Sequence, residues 1–158
     1  MVLASNLLEQ TYIEDYVFQK RSTITIRSKK CGEHFTYTIA RDKYDDRAFR
    51  VYLLTGENNN DDYRYIGIFY RSSRTYVLPG LYKANEYAQK VPLSIQVIRY
   101  VLTNINHLPD TIEVYHSCKC ALCGRKLTTP NSLRTGFGPK CRKYLYGDNN
   151  NEQIRIDF

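Results

Sequence analysis

The sequence predicts an α+β fold, in which an antiparallel β-meander is packed by a helix and followed by a small Cys-rich module. Successive short runs alternate apolar and polar residues with a period of two, which is typical of half-buried strands. A later segment repeats its apolar residues at spacings of three and four, as an amphipathic helix does. Four of the five cysteines lie within residues 118–141.

A first helix is predicted over residues 6–20. Asn6 is placed as an N-cap, and Glu9 follows three residues later, as in a capping box. Ile13 and Val17 fall on one face of this helix. We expect that face to be buried.

Five runs typical of strands follow this helix. In the first of them, Ile24 and Ile26 alternate with threonine and arginine. Short polar segments such as 55–62 connect the runs, and consecutive strands joined in this way favour an antiparallel meander. The predicted strands cover residues 22–28, 35–41, 49–55, 63–70 and 75–79.

The strongest predicted helix covers residues 92–106, where Ile95, Ile98 and Leu102 share one face. We expect it to pack on the apolar face of the sheet. Residues 110–116 then predict one more strand. The chain is therefore divided into residues 1–109 (helix, sheet and packing helix), 110–146 (Cys-rich module) and 147–158 (a short acidic tail).

Positive charge is concentrated in the Cys-rich module. Residues 111–146 hold seven Lys and Arg against Glu113 alone, a net charge of +6. Residues 1–110 carry +3, from 15 basic and 12 acidic residues, and residues 147–158 carry −2, for a total of +7. With 15 tyrosines, this balance suits nucleic-acid binding. The alternative is a soluble surface with a Tyr-rich sheet.

No apolar run approaches the roughly 20 residues that a membrane span needs. The N-terminus lacks a basic lead, so it does not predict a secretory signal. We therefore expect a cytoplasmic protein with reduced cysteines.

The Cys-rich module predicts a zinc site. Cys120 and Cys123 are spaced as in a zinc knuckle, and Gly124 lets the backbone turn so that amides point at the sulfurs. Pro139 can open a helix, which places Cys141 in a first turn where the macrodipole favours a thiolate by about 0.3–1 kcal/mol. Residues 126–133 are expected to form a turn or a short hairpin between the knuckle and this helix, as in a treble-clef-like finger with one helical ligand.

The fourth ligand is either His116 or Cys118. His116 is favoured because a strand end can swing over the metal, whereas Cys118 lies so close to Cys120 that the backbone would be crowded. The predicted set for a structural Zn²⁺ is His116, Cys120, Cys123 and Cys141, with Cys118 as the spare. Cys31 is expected to pack as a small apolar residue.

The same segment resembles the finger of a family of bacteriophage and bacterial proteins that has no established activity. The shared signature is CxxCGRxLTxPxS followed by GxGPxC, and the resemblance extends over roughly residues 34–145. It implies a phage or bacterial setting, and it supports His116 because the family regularly has a His before the knuckle. Cys118 departs from the small residue usual there. The matching residues are Cys120, Cys123, Gly124, Arg125, Leu127, Thr128, Pro130, Ser132, Gly136, Gly138, Pro139 and Cys141.

We expect no enzymatic activity and no small-molecule substrate. Four protein ligands close a zinc site, whereas a catalytic zinc keeps one position open. A zinc deaminase needs a His-x-Glu ahead of its Cys pair, and this chain lacks it. His34 and His107 are expected at the surface.

The predicted function is binding of nucleic acid, with a leaning to single-stranded DNA or RNA. Tyr52, Tyr63, Tyr65, Arg50 and Arg71 are candidates for an additional stacking face. The alternative is a phage protein–protein module that inhibits a host complex or is part of the virion, in which the zinc is purely structural. The predicted phosphate-binding residues are Lys119, Arg125, Lys126, Arg134, Lys140, Arg142 and Lys143.

Overall fold

The computed structural model describes residues 6–56, 61–83 and 90–147. In these residues an antiparallel six-stranded sheet combines with α-helices, which confirms the predicted α+β class. A short 3-10 helix occupies Gly80–Tyr82. The strands are β1 Arg21–Ser28, β2 His34–Arg41, β3 Ala48–Leu54, β4 Tyr63–Tyr70, β5 Thr75–Val77 and β6 Ile112–His116. The helices are α1 Gln10–Val17, α2 Leu93–Thr103, α3 Pro130–Thr135 and α4 Pro139–Tyr146.

The strand order is β5-β4-β3-β2-β1-β6, so the first five strands form the predicted meander. After α2 the chain returns to the other edge, where β6 pairs with β1. The paired register runs from Ile24 opposite His116 to Ser28 opposite Ile112. β6 therefore ends partway along β1, and the Cys-rich module begins next to the first residues of β1.

One face of the sheet packs against α1 and α2. Phe18, which follows α1, has its ring centroid 4.9 Å from that of Phe49 and 5.7 Å from that of Phe69. The hydroxyl of Tyr37 donates to the carbonyl of Ser94 on α2. Burial of these large side chains stabilises this part of the chain without any ligand.

The opposite face of the sheet, which we call the open face, carries polar and aromatic side chains. Thr23 of β1 lies 3.0 Å from Thr38 of β2, measured between the hydroxyl oxygens. Thr25 and Thr36 form a second cross-strand pair at 2.7 Å. The alternation that buries isoleucine on one face therefore places a threonine ladder on the other.

The predicted capping box at the start of α1 is wrong. α1 begins at Gln10, and Glu9 at its N-cap makes no side-chain capping bond. Asn6 instead donates to the carbonyl of His116 at 3.0 Å, and Leu8 N–H donates to a β6 carbonyl at 2.8 Å. Residues 6–8 run alongside β6 and pair with it, and this long-range pairing prevents the helix from starting earlier.

The prediction of a turn or hairpin over residues 126–133 is also wrong in its second half. α3 begins at Pro130, and the Thr129 side chain accepts a hydrogen bond from the Ser132 N–H. Thr followed by Pro is a helix start, because the hydroxyl caps a free N–H and proline suits the first helical position. The helix predicted after Pro139 is confirmed as α4.

The part of the Cys-rich module that follows β6, residues 117–146, docks on α1 and shares the core of the sheet. Phe137 is fully buried, and its ring centroid lies 6.1 Å from that of Tyr16 on α1. Gly136 adopts φ +82° and packs directly against Tyr16, where only glycine fits without strain.

The division into modules stays a prediction, and all of the predicted acidic tail beyond Gly147 lies outside the described residues. None of the described helices has the length and apolar character needed to cross a membrane.

Candidate metal centre and basic surface

Three thiols converge between the knuckle and the start of α4. The Sγ atoms of Cys120, Cys123 and Cys141 all lie within 4.8 Å of one another. Cys120 is buried, Cys141 is half-buried and Cys123 is exposed. Among the described residues, no His, Asp or Glu joins this group.

The knuckle geometry follows from local backbone hydrogen bonds. The Cys120 N–H donates to the Arg125 carbonyl at 2.8 Å, and the Gly124 N–H donates to the Cys120 carbonyl at 2.9 Å. Gly124 has φ +80°, a conformation that residues with a side chain rarely adopt. This tight turn brings both knuckle sulfurs to the same side, where α4 presents Cys141.

The three thiols do not hold their protons equally. Burial alone raises the pKa of Cys120, but N–H groups of Gly138, Cys123 and Leu122 outweigh it and place that pKa below its usual value. The Gly138 N–H lies 3.4 Å from the Cys120 sulfur. Burial, together with hydrogen bonds to the other two thiols, raises the pKa of Cys141 to about 12. A cation among the three sulfurs would stabilise all of them as thiolates.

The donor set fits a tetrahedral metal such as zinc. A Zn–S bond of about 2.3 Å places the sulfurs of a tetrahedral site about 3.8 Å apart. The Sγ atoms all lie within 4.8 Å of one another, so each pair needs to contract by at most about 1 Å to reach that value. Cys120, Cys123 and Cys141 would hold the metal, which would join the knuckle to α4.

The structure does not bring His116 into the thiol group. Its Nε2–H donates to the carbonyl of Leu133 at 2.6 Å, and its Nδ1 accepts from the Cys118 N–H at 2.8 Å. Both ring nitrogens therefore have backbone partners in the module. Burial lowers the pKa of His116, which favours the neutral ring that these two bonds require. The fourth ligand stays a prediction.

The two remaining cysteines also lie apart from the thiol group. Cys118 is half-buried and adopts φ +65°, and its carbonyl accepts from the Leu127 N–H across the knuckle. Cys31 is exposed in the turn between β1 and β2, so the expectation that it packs as an apolar residue is wrong. A hydrogen bond with the Ser28 hydroxyl, with a second at Glu33, lowers the pKa of the Cys31 thiol.

Two of the predicted phosphate-binding lysines face each other. Lys119 and Lys126 form an isolated antiparallel bridge, so their side chains project from directly opposite positions on the two arms of the knuckle. Both side chains are exposed, and Arg125 is exposed beside them. Lys140 is exposed at the start of α4.

Two of the other predicted basic residues, Arg134 and Arg142, have structural contacts. Arg134 pairs with Glu9 at 2.9 Å and lies over the ring of Tyr12. The Arg142 guanidinium donates to the Thr135 hydroxyl at 3.4 Å. Arg134 therefore joins the module to α1 and the residue before it, and Arg142 joins α4 to α3, which leaves less of their charge for a partner.

The predicted stacking face is only partly present. Tyr52 and Tyr65 are neighbours on the open face, with ring centroids 5.9 Å apart, and the Arg50 guanidinium lies over Tyr65. Arg71 does not share this face, because it lies over Phe18 and pairs with Glu14 on α1. The inclusion of Arg71 was wrong.

The threonine ladder of the open face, with Arg21 at its end, was missed at the sequence level. The signal was present in "STITIRS" and "FTYTIAR", because two neighbouring strands that alternate isoleucine or tyrosine with threonine must align their threonines on one face. Their proximity to the Cys-rich module depends on where β6 ends.

Residues 113–146 match the model of a family of unknown function, DUF6011. Comparison with curated proteins and with solved structures found no match. The match covers the last four residues of β6, the thiol group and α4, and it assigns them no activity.

Proposed function

We propose that this protein is a non-enzymatic, zinc-stabilised accessory protein that binds nucleic acid, preferentially single strands, in the cytoplasm of a bacterial cell that carries a phage or mobile element. In this proposal, Zn²⁺ at Cys120, Cys123 and Cys141 holds the Cys-rich module in shape, and the basic residues of the module contact phosphates. The phage setting is supported by the CGRxLTxPxS signature of the knuckle.

The facing lysines carry the proposal. Like charges directly opposite each other are destabilising in an antiparallel pair. Residues 117–146 contain no Asp or Glu that could compensate Lys119 and Lys126 locally. A phosphate backbone supplies the missing negative charge and releases counterions on binding.

The non-enzymatic part is supported by the composition of the metal centre. Hydrolytic zinc sites pair the metal with a carboxylate or imidazole that moves a proton. The group formed by Cys120, Cys123 and Cys141 has neither among the described residues. Thiolate ligands are typical of structural sites, in which a fourth ligand closes the coordination.

Fluorescence anisotropy with a labelled single-stranded oligonucleotide tests the proposal. The chain should bind at 50 mM salt, with a log–log salt slope of about −0.7 per phosphate contacted. Lys119→Gln/Lys126→Gln should weaken binding about tenfold and reduce the slope by about 1.4, because two phosphate contacts are lost.

The matched control is Lys29→Gln/Lys30→Gln, which removes the same charge from exposed positions beyond the far end of β1. That variant should bind nearly as tightly as the unmodified chain. No binding at 50 mM salt, or equal losses in both double variants, would contradict a specific basic surface.

A protein partner is the competing proposal. Tyr144 on α4 is 80% exposed and Leu122 on the knuckle is 41% exposed, so the module also presents apolar surface. Capture from a nuclease-treated host lysate distinguishes the two. A single stoichiometric protein retained by the unmodified chain and lost with Tyr144→Ser would favour this second proposal.

A further inference from the structure

A cleft of about 690 Å³ lies between the open face of the sheet and the Cys-rich module. Arg21 and Lys119 line it on the side of β1, and Tyr63 lines it at the start of β4, three strands away in the sheet. From β1 to β4 the cleft crosses three strand spacings, about 14 Å. Its volume falls in the range of about 300–1,000 Å³ that is usual for ligand sites.

The floor of the cleft is the threonine ladder. Thr23, Thr25 and Thr36 are half-buried, and Thr38 is almost fully buried beside them. Each hydroxyl has one donor and two acceptor sites. When two threonine hydroxyls hydrogen-bond to each other, the pair still has one free donor and several free acceptor sites. Such a floor can form hydrogen bonds with the different donor and acceptor groups on the edges of different bases, because each hydroxyl can rotate to donate or accept.

The end near the Cys-rich module is positively charged. Arg21 and Lys119 are exposed, and neither forms an ion pair with any described residue. None of the described residues that line the cleft is acidic. This end complements a phosphate group.

The other end is aromatic. Tyr63 lines the cleft beside Leu54, and Tyr65 lies two residues further on the same face of β4. The acidic residues Asp61 and Asp62 come directly before Tyr63 in the chain and do not line the cleft. The cleft therefore has a polarity, with phosphate favoured at Arg21 and an uncharged aromatic ring at Tyr63.

The geometry points to this cleft as the site where a single-stranded nucleic acid crosses the sheet, with a backbone phosphate between Arg21 and Lys119 and an unpaired base on Tyr63. The inference rests on the proposed function and names the surface that performs it. Bases reach a side-chain ring and a hydroxyl floor only when they are unpaired, so a duplex is excluded from the cleft.

The metal centre and the cleft are connected through the knuckle. Cys120, Ala121 and Gly124 form one wall of the cleft. The Tyr16 hydroxyl donates to the Lys119 carbonyl at 3.2 Å, which holds this wall against α1. Metal bound at Cys120 would therefore keep the cleft in the shape that the strand needs.

The test uses the zinc-loaded 158-residue chain and a labelled oligothymidine strand in fluorescence anisotropy. Arg21→Gln should weaken binding about fivefold and reduce the salt slope by about 0.7, the value for one phosphate. Tyr63→Leu should weaken it about 5- to 150-fold through lost stacking. Thr25→Val/Thr36→Val removes both members of one hydroxyl pair with little cost to folding, and it should weaken binding about threefold or more.

Matched controls carry the same changes outside the cleft. Arg99→Gln on the exposed side of α2 and Thr75→Val on the edge strand β5 should bind as the unmodified chain does. Unlabelled duplex of the same sequence should compete far less well than the single strand. Because Arg21 is exposed, we expect Arg21→Gln to fold normally, so this variant still tests the cleft if Tyr63→Leu does not fold.

The outcomes separate the cleft from the proposed function. If the unmodified chain binds, and Lys126→Gln weakens binding while Arg21→Gln, Tyr63→Leu and the threonine pair have no effect, the cleft is overturned and the basic surface stands. Equal competition by duplex also overturns the cleft. If the unmodified chain does not bind, both proposals fail together.

Discussion

The sheet and the Cys-rich module are stabilised in different ways. The sheet buries large apolar side chains against α1 and α2, among them Tyr37, Phe49 and Phe69. In the part of the Cys-rich module after β6, residues 117–146, the described residues whose side chains are buried in the core are Cys120, Leu127 and Phe137. The sheet can therefore hold its fold by burial, whereas we expect the module to depend on a metal held by its thiols and on docking to α1.

The largest expected difference between the two regions is their response to loss of metal. Cys120→Ser, or a strong chelator, should release one zinc per chain and open residues 117–146, because structural zinc contributes apparent free energies of about 10–16 kcal/mol in finger peptides. Hydrogen exchange should show rapid exchange in the module and retained protection in β1 to β4.

Cys31→Ser is the matched control, since Cys31 is exposed and lies outside the thiol group. It should keep both the metal and the protection pattern. Simultaneous unfolding of the whole chain after chelation would show instead that the two regions form one cooperative unit.

Docking of the module on α1 should be nearly as sensitive. Gly136→Ala places a methyl group onto the Tyr16 ring and retains φ +82°, so we expect a loss of about 2–5 kcal/mol in the free energy of unfolding. Denaturant unfolding of the zinc-loaded protein measures it. Gly138→Ala, where the added carbon meets nothing and φ is −68°, should change stability much less.

Substitution of His116 should give the smallest of these losses of stability. It tests the hydrogen bonds at the end of β6, where the sheet meets residues 117–146. Removal of its ring leaves the Cys118 N–H and the Leu133 carbonyl without their partner, so His116→Ala should cost about 2–4 kcal/mol. Because both ring nitrogens are used in this way, we expect the ligand-field spectrum of the Co²⁺-substituted protein to stay unchanged.

The exposed His107 supplies the control, and His107→Ala should alter neither stability nor spectrum. A shifted Co²⁺ spectrum in His116→Ala alone would make His116 the fourth ligand, as the strand-end position in the sequence indicates.

The strands and α2 were predictable because their signals are local. Alternation in "STITIRS" and "FTYTIAR" directs isoleucine and tyrosine to one face whatever the rest of the chain does. The same holds for Ile95, Ile98 and Leu102, all of which are buried on α2. Because the segments between consecutive strands are short, each strand pairs most readily with the next one along the chain, which gives a meander.

Two of the errors occurred where distant residues compete for the same groups. Asn6 was expected to cap α1, but it bonds to His116, which is 110 residues away. Arg71 was expected on the open face, but Glu14 and Phe18 draw it to α1. Neither contact leaves a periodic signal in the sequence.

The spacing of Cys120 and Cys123, the position of Cys141 after Pro139, and the basic charge of the module are properties of the sequence, because each arises from residues close together along the chain. The partners of His116 and the placement of Arg21 and Lys119 on the same cleft arise from folding. Both depend on the register in which β6 pairs with β1, since that pairing determines where the last strand ends and where the module begins. Hydrogen bonds and charges between residues far apart in sequence acquire their geometry only when the sheet is assembled.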